Sequence, residues 1–283
     1  MNICIVGLGL LGGSFALGLQ QLEDEFNFIG VDSNPEHAAK ALELGIVNEL
    51  LPLEAGVNKA QLTVLAVPVN AITQLINPVL DMLPENAALI DFGSTKEIIC
   101  RVVENNPKRS QFVPVHPIAG TENSGPEAAF AELLHGKIMI ICDQEKSRPA
   151  CLQLVEELFT KLKMRLSFMD AAAHDLHLAY VSHLSHITSF VLGATVLEKE
   201  RDEQNIFDMA GSGFSSTVRL AKSSPEMWAP IFSQNSRNIS EALGSYINKL
   251  QQFKDYIDNQ DEAASYELMQ KTNDIRRILN GIK

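Results

Sequence analysis

Gly7-Leu8-Gly9-Leu10-Leu11-Gly12 stands directly behind a short apolar stretch, 2–6, and directly ahead of a stretch with helical spacing, 10–21. A lone GxGxxG recurs at ordinary turns. In this position it asks for a strand, a tight turn and a helix in that order, the opening of a βαβ nucleotide-binding unit. Gly7 permits the turn, Gly9 lets the backbone approach a pyrophosphate, and Gly12 lets helix and strand pack closely. Leu10 and Leu11 open the helix, whose first amides and positive dipole end face the phosphates. Asp32 follows Gly12 by 20 positions, at the end of the next strand-like stretch, 27–31. Its carboxylate can accept hydrogen bonds from a ribose diol and repels a 2′-phosphate, so the expected cofactor is NAD rather than NADP.

The rest of the chain fits that opening. Apolar stretches at 62–67, 87–91, 111–115, 137–142 and 164–168 alternate with helical spacing at 35–44, 69–82, 96–105 and 147–163. Strands separated by helices of this length form βαβ units and a mostly parallel sheet covered on both faces. Val67 and Pro68 close the third strand. A proline there cannot donate to the ladder, so it marks a strand end, where the loops of a doubly wound sheet meet their ligand. From residue 171 the strand signal stops, and helical stretches follow at 171–200, 202–222, 225–258 and 260–280, the third opened by Ser223-Ser224-Pro225-Glu226. The expected fold is an α/β Rossmann-type nucleotide-binding domain, 1–168, followed by an all-α domain, 169–283. Helices that long in a small region suggest a bundle shared between subunits.

Composition excludes several classes. Thirty-five acidic residues against 23 basic give a net charge of −12, which argues against a nucleic-acid or anionic-membrane surface. No apolar run approaches the roughly 18 residues of a membrane span, and the apolar N-terminus lacks the basic flank of a signal peptide. Cys4, Cys100, Cys142 and Cys151 lie far apart in apolar stretches. They read as buried free thiols in a reducing cytoplasm rather than as disulfides or zinc ligands.

The chemistry gathers at two further strand ends. The fourth strand runs into Asp91-Phe92-Gly93-Ser94-Thr95-Lys96 and the fifth into Val115-His116-Pro117-Ile118-Ala119-Gly120-Thr121-Glu122, both on the sheet edge that carries the dinucleotide. A histidine there, in the loop after its strand, can take the proton that an alcohol releases on hydride transfer. Ser94 is a plausible hydrogen-bonding companion. Lys96 reads either as a cation for an anionic substrate or as part of its own helix end.

With GLGLLGGS, DFGSTK, VHPIAGTENSG, HDLHLAYVSHLSH and GSGFSSTVRLAKSSPEMW, nearly the whole chain resembles the prephenate/arogenate dehydrogenases of tyrosine biosynthesis. The joint presence of HPxAGT and GFxxxxR is the specific part. The resemblance implies that His116 holds and accepts the proton of the ring hydroxyl, and that Ser94 hydrogen-bonds the same hydroxyl and the nicotinamide region. It implies that Arg219 pairs with a substrate carboxylate and that His183 lies on the substrate side. Ser185 departs from the family, many members having Pro there, which bears on local helix geometry. Arg219 independently suits a carboxylate clamp, because its planar fork binds a carboxylate through two parallel hydrogen bonds. Lys222 reads as solvated.

At 100° per residue, His174 and His177 lie within about 60° of each other, as do His183 and His186, but the second pair lies about 120–180° around from His174. One straight helix cannot aim all four at one site. His183, with His186 second, is the expected substrate-side pair. His174 reads as a helix-start or interdomain contact despite the family's HD spacing, and His177 as a surface or packing residue. No third ligand accompanies these pairs, so no metal is expected. Trp228 reads as a packing anchor, while Asn235 and Arg237 either line the cleft or sit on a solvated face.

The expected activity is NAD-dependent oxidative decarboxylation of prephenate by a homodimer. Arogenate is the alternative substrate. A β-hydroxyacid dehydrogenase or imine reductase, or a non-catalytic NAD-binding protein, are the other classes. The helical region runs to Lys283, which leaves the active site as the expected place of any tyrosine inhibition.

Overall fold

The computed structural model describes residues 1–203 and 205–279. Position 204 and positions 280–283, inside or beyond helical stretches expected from the sequence, lie outside the described residues. The chain forms two compact units, Met1–Ser236 and Arg237–Lys283.

The first unit is built on an eight-stranded sheet in the order β3-β2-β1-β4-β5-β6-β7-β8. The strands are β1 (Asn2–Val6), β2 (Asn27–Val31), β3 (Glu49–Leu50), β4 (Leu62–Leu65), β5 (Ala88–Asp91), β6 (Phe112–Ile118), β7 (Ile138–Cys142) and β8 (Arg165–Met169). Every pairing is parallel except β6 with β7. Chain order reverses between β1 and β4, and that switch point opens the crevice a dinucleotide uses. The helices between strands are α1 (Leu10–Gln20), α2 (Pro35–Glu43), α3 (Leu53–Lys59), α4 (Val69–Met82), α5 (Glu97–Val102) and α6 (Pro149–Lys161). They cover both faces, so Ile3, Ile5, Val64 and Ile90 pack in one core and Cys4, Leu65 and Leu89 in the other. β3 and α3 were not separable from a loop by pattern, since two residues cannot show alternation and Leu53–Lys59 spans barely two turns.

β6 is longer than expected. Its first half pairs with β5 up to Asp91↔Pro114, and its second half pairs antiparallel with β7, including His116↔Ile140. His116 therefore lies within a strand, not in the loop after one. The antiparallel neighbour continues the ladder four residues, Val115–Ile118, beyond the last pair with β5.

After β8 come α7 (Ala171–Leu178), a π-helical segment (Ala179–His183) and α8 (Leu184–Asp202), one continuous rod. Asp170 caps it, its side chain accepting from Ala173 N at 2.7 Å. The expected helix at 202–222 is broken into a 3₁₀ turn (Phe207–Met209), α9 (Ser212–Val218) and a second 3₁₀ turn (Arg219–Lys222). Gly211 stands at the break, as the N-cap of α9, glycine being costly inside a helix. The expected helix at 225–258 is interrupted at Asn235, between α10 (Pro225–Gln234) and α11 (Ser236–Asp258).

The expected boundary at 168 marks a change of secondary-structure class, whereas compactness continues to Ser236. The reason is local: α7 buries His174 and Asp175 completely against the sheet domain. The second unit holds most of α11, then α12 (Glu262–Thr272) and α13 (Ile275–Leu279). It exposes Ile247, Leu250, Ile257, Tyr266 and Met269. Among the described residues no helix is long and apolar enough to cross a membrane. All four cysteines are free and buried.

Candidate active site

At the switch point the glycines do three different jobs. Gly7 has φ +98°, and a Cβ there would lie 2.4 Å from the Ala66 carbonyl oxygen and 2.8 Å from Val67 Cγ1, so the turn closes only on glycine. A Cβ on Gly12 would stand 2.1 Å from the Gly7 carbonyl oxygen. A Cβ on Gly9 would meet no atom within 4 Å. Gly9 is the N-cap of α1, no side chain caps that end, and the first turn, with Leu10 and Leu11, holds no acid. An open face over the uncapped, positive end of an 11-residue helix suits a pyrophosphate. Asp32 binds the two loops together: Oδ2 accepts from Leu8 N and Oδ1 from Asn34 N, both at 2.8 Å. The half-buried carboxylate keeps further acceptor capacity for a diol. Val67 is half-buried and Pro68 exposed, beside Gly7 and at the start of α4. These residues fit a dinucleotide.

The chemistry gathers below the ends of β5 and β6. His116 is buried, and its Nδ1 lies 2.8 Å from Nε2 of His174, which is fully buried. His174 Nδ1 lies 2.7 Å from Asp175 Oδ1. The Asp175 carboxylate also accepts from Lys96 N at 2.7 Å and Glu97 N at 3.0 Å, which fixes the turn that carries Ser94 into α5. His174, in the first turn of α7, is thus the expected helix-start contact with the sheet domain, and at the same time a direct partner of His116. Its signal in the sequence was the His-Asp pair, which a count of helical angles set aside.

That count failed for a structural reason. A π-helical turn takes up an extra residue, so the nine positions from His174 to His183 rotate like eight, about 80° instead of about 180°. His183 is buried on the same side, and Asn235 Nδ2 lies 3.1 Å from its Nδ1 and 2.6 Å from the Asp175 carbonyl oxygen. Asn235 is buried at the break after α10, so its reading as a solvated residue does not hold. His186 stacks on Trp228, ring centroids 3.5 Å apart, with Nδ1 at 3.0 Å from the Ser182 carbonyl oxygen. Trp228 packs with Val69 and Ile231, as an anchor should, while its buried indole N–H has no partner among the described residues.

Lys96 is the N-cap residue of α5, as expected of a helix end, but its side chain neither meets solvent nor caps the helix. It is fully buried and paired with the equally buried Asp91, whose Oδ2 also accepts from Gly93 N at 2.9 Å. Ser94 is half-buried and Arg219 exposed; among the described residues neither joins the hydrogen bonds above. The positive charge of Arg219 nonetheless reaches His186. Lys222 and His177 are exposed.

Burial governs the protonation of this cluster. It pushes the His116 pKa well down from the usual imidazole range, with His174 and Lys96 adding to the effect. It lowers His174 against the opposing pull of Asp175. It takes His183 to about 4. At neutral pH the site presents uncharged imidazoles, able to accept a proton from one ligand and donate a hydrogen bond to another. Among the described residues no group of three or more His, Cys, Asp or Glu side chains is placed to hold a metal ion.

Known proteins share this fold. The model of the prephenate dehydrogenase nucleotide-binding domain matches residues 15–168, and that of the prephenate dehydrogenase dimerization domain matches residues 170–271. The prephenate dehydrogenase of Bacillus subtilis is 27% identical over 97% of this chain and 75% of its own. A crystal structure of prephenate dehydrogenase from A. aeolicus in complex with hydroxyphenyl propionate and NAD+ superposes with a TM-score of 0.91 at 32% identity, covering 99% of this chain and 98% of that one. The arogenate dehydrogenase of Synechocystis gives 0.78 at 26% identity, over 99% of this chain and all of its own. The nucleotide-binding domain and the helical region beyond residue 170 are those of an oxidoreductase family, and the chain belongs to the prephenate dehydrogenase family.

Proposed function

We propose that this chain catalyses the NAD-dependent oxidative decarboxylation of prephenate to 4-hydroxyphenylpyruvate, the tyrosine-forming branch of aromatic biosynthesis. The observation that carries the reading is His116: a buried, uncharged imidazole at the carboxyl edge of the same parallel sheet whose β1–β4 crevice suits a dinucleotide. Gly7, Gly9, Leu10, Leu11 and Gly12 hold the pyrophosphate, Asp32 the adenosine ribose, and Val67 and Pro68 border the dinucleotide. NAD+, when bound, supplies the hydride acceptor.

Oxidation of the carbinol releases the hydroxyl proton, and loss of the ring carboxylate as CO2 leaves its bonding pair to complete the aromatic ring. His116 takes that proton as general base, and Ser94 hydrogen-bonds the same hydroxyl. Arg219 binds a carboxylate at the rim, with His183 and His186 along the substrate. Burial gives His116 its uncharged resting state, and a rigid strand fixes its position. Arogenate, with an amine in place of the side-chain keto group, is the second reading, and it is favoured by the likeness to the Synechocystis enzyme.

The residues 169–283 act as the substrate and dimerisation part. The match to a dimerization domain and the exposed Ile247, Leu250 and Ile257 support a homodimer. Four free thiols suit a reducing cytoplasm, and the net charge of −12 disfavours a nucleic-acid partner. The test is formation of reduced nicotinamide, followed by its absorbance, with prephenate and with arogenate, each with NAD+ and NADP+. Turnover with prephenate and NAD+ is expected. Turnover with arogenate alone moves the substrate assignment, and silence with both overturns the reading.

A further inference from the structure

The buried histidines are joined through one residue, Asp175, by two branches of opposite sense. An ionised carboxylate only accepts, and that of Asp175 already receives Lys96 N and Glu97 N. His174 Nδ1, 2.7 Å from Oδ1, therefore carries the proton. His174 is uncharged, because burial disfavours its cation, so its Nε2 is a bare acceptor. The atom 2.8 Å away, His116 Nδ1, must then be the donor, and His116 Nε2 is left as a free lone pair.

The second branch starts from the Asp175 main chain. A carbonyl oxygen also only accepts, so the Asn235 atom 2.6 Å from it is the amide nitrogen. The same nitrogen faces His183 Nδ1 at 3.1 Å. His183 Nδ1 accepts there, and its proton sits on Nε2. One branch ends in a base, the other in a donor.

We infer that Asp175 sets the two site histidines in opposite tautomers, His116 bare at Nε2 through His174 and His183 protonated at Nε2 through Asn235, so that one accepts a proton while the other donates a hydrogen bond to an acceptor on the substrate. His174, Asp175 and Asn235 are positioning residues. A proton arriving at His116 Nε2 makes an imidazolium whose Nδ1–H already points along His174 toward the Asp175 carboxylate, so the new charge is stabilised without moving a heavy atom. Lys96 and Asp91, the buried ion pair beside the cluster, offset each other's charge and leave Asp175 as its anionic end. The assignment of tautomers stands on the hydrogen bonds together with the uncharged state that burial gives His174; the roles of base and donor rest on the function proposed above.

Nitrogen-15 spectra of the full-length protein, labelled at its histidine rings, read the tautomers directly and need no substrate. The expected result is His116 with Nδ1–H and bare Nε2, and His183 with Nε2–H, the assignments made with His116→Asn and His183→Asn. In His174→Leu the His116 signal should move toward the Nε2–H form favoured by free imidazole in water, with His183 unchanged. Asn235→Leu should affect His183 and spare His116. Activity supplies the second readout. His174→Leu should lower kcat by about 10²-fold or more, with KM for prephenate and Kd for NAD+ within about threefold. His174→Gln, whose Oε1 can still accept from His116 Nδ1, should recover about tenfold of that loss. Nε2–H on His116 in the wild type, a His116 tautomer indifferent to His174→Leu, or His174→Gln no better than His174→Leu would each overturn the inference. A wild-type protein with the expected tautomers but no turnover of prephenate or arogenate would overturn the functional reading and leave the tautomers standing.

Discussion

Replacing Lys96 with Met tests whether the ion pair under the site is an electrostatic necessity or a packing detail. Lys96 and Asp91 are both fully buried, and the remaining contacts of Asp91 are few: Oδ2 accepts from Gly93 N at 2.9 Å, and Oδ1 has no partner among the described residues. Methionine replaces the aliphatic stem at similar volume, so the lost quantity is the charge. Breaking a buried pair from one side costs about 3–5 kcal/mol. Protonation sets a ceiling, because Asp91 can escape the penalty by taking a proton, at a cost of about 4 kcal/mol at pH 7 for a carboxylate that titrates near 3.9 when unfolded. We therefore expect a loss of about 3–4 kcal/mol at pH 7. Its pH dependence follows from direction alone. Burial raises the Asp91 pKa and Lys96 is the largest force opposing it. Without Lys96 the folded state binds a proton that the unfolded state does not, so the variant loses stability as pH rises. The deficit relative to wild type should shrink by about 1.4 kcal/mol for each pH unit of descent from 7 to 5. Urea unfolding at pH 5, 6 and 7 measures it. The double variant Asp91→Asn/Lys96→Met keeps an acceptor for Gly93 N and should lose this slope relative to wild type. A deficit in Lys96→Met that is flat with pH would refute the electrostatic account and leave only packing.

The other predictions separate binding, chemistry and folding. Gly9→Ala should change stability by less than about 0.5 kcal/mol, since the new Cβ meets no atom within 4 Å, yet weaken NAD+ by about tenfold or more in titration, its methyl standing where the pyrophosphate approaches. Gly12→Ala should cost about 2–3 kcal/mol in denaturant unfolding through the 2.1 Å clash with the Gly7 carbonyl oxygen. His116→Asn should leave NAD+ affinity within about twofold and lower kcat by about 10²–10⁴-fold. His183, taken to about 4 by burial, stays neutral when folded while its unfolded counterpart charges below about 6.5. Its contribution is complete above that value and lost as pH falls toward 4, about 3 kcal/mol in all, so a His183→Asn protein should show a flatter acid limb of stability.

Much of this fold was legible because its signals are local. The β1 and α4 boundaries at 2–6 and 69–82 coincide with the apolar pattern, and the glycine jobs follow from a turn whose geometry is known in advance. The helical end was less legible. Gly211 and the break at Asn235 divided stretches that periodicity had joined. The larger obstacle was the π-helical turn at Ala179–His183. A helical wheel assumes one angular step throughout, so a single inserted residue moved His183 onto the face of His174 and hid the pairing. Ser94 and Arg219 were singled out by resemblance. Asp175 and Asn235 act through a carboxylate and an amide whose partners lie 79 and 52 positions away, and no local pattern carries such a distance.

The charges are divided between interior and rim in a way that suits an anionic substrate. The chain is acidic overall, which repels a dicarboxylate at long range. Burying cations beside the base would offset that repulsion, but at the cost of desolvating the substrate's carboxylates and of lowering the basicity of His116 further. Instead the buried lysine is cancelled by Asp91, the imidazoles are uncharged, and Arg219 stands exposed at the start of a 3₁₀ turn. On a 3₁₀ turn residues three apart eclipse one another, so the exposed Lys222 falls on the side of Arg219. On the proposed function, a carboxylate is then bound at Arg219 while still partly hydrated, and the ring hydroxyl alone enters the uncharged interior. Arg219→Ala should then raise KM for prephenate by about tenfold or more with kcat changed far less, because it removes a contact made equally in the ground and transition states. A fall in kcat with KM unchanged would place Arg219 at the reacting ring instead.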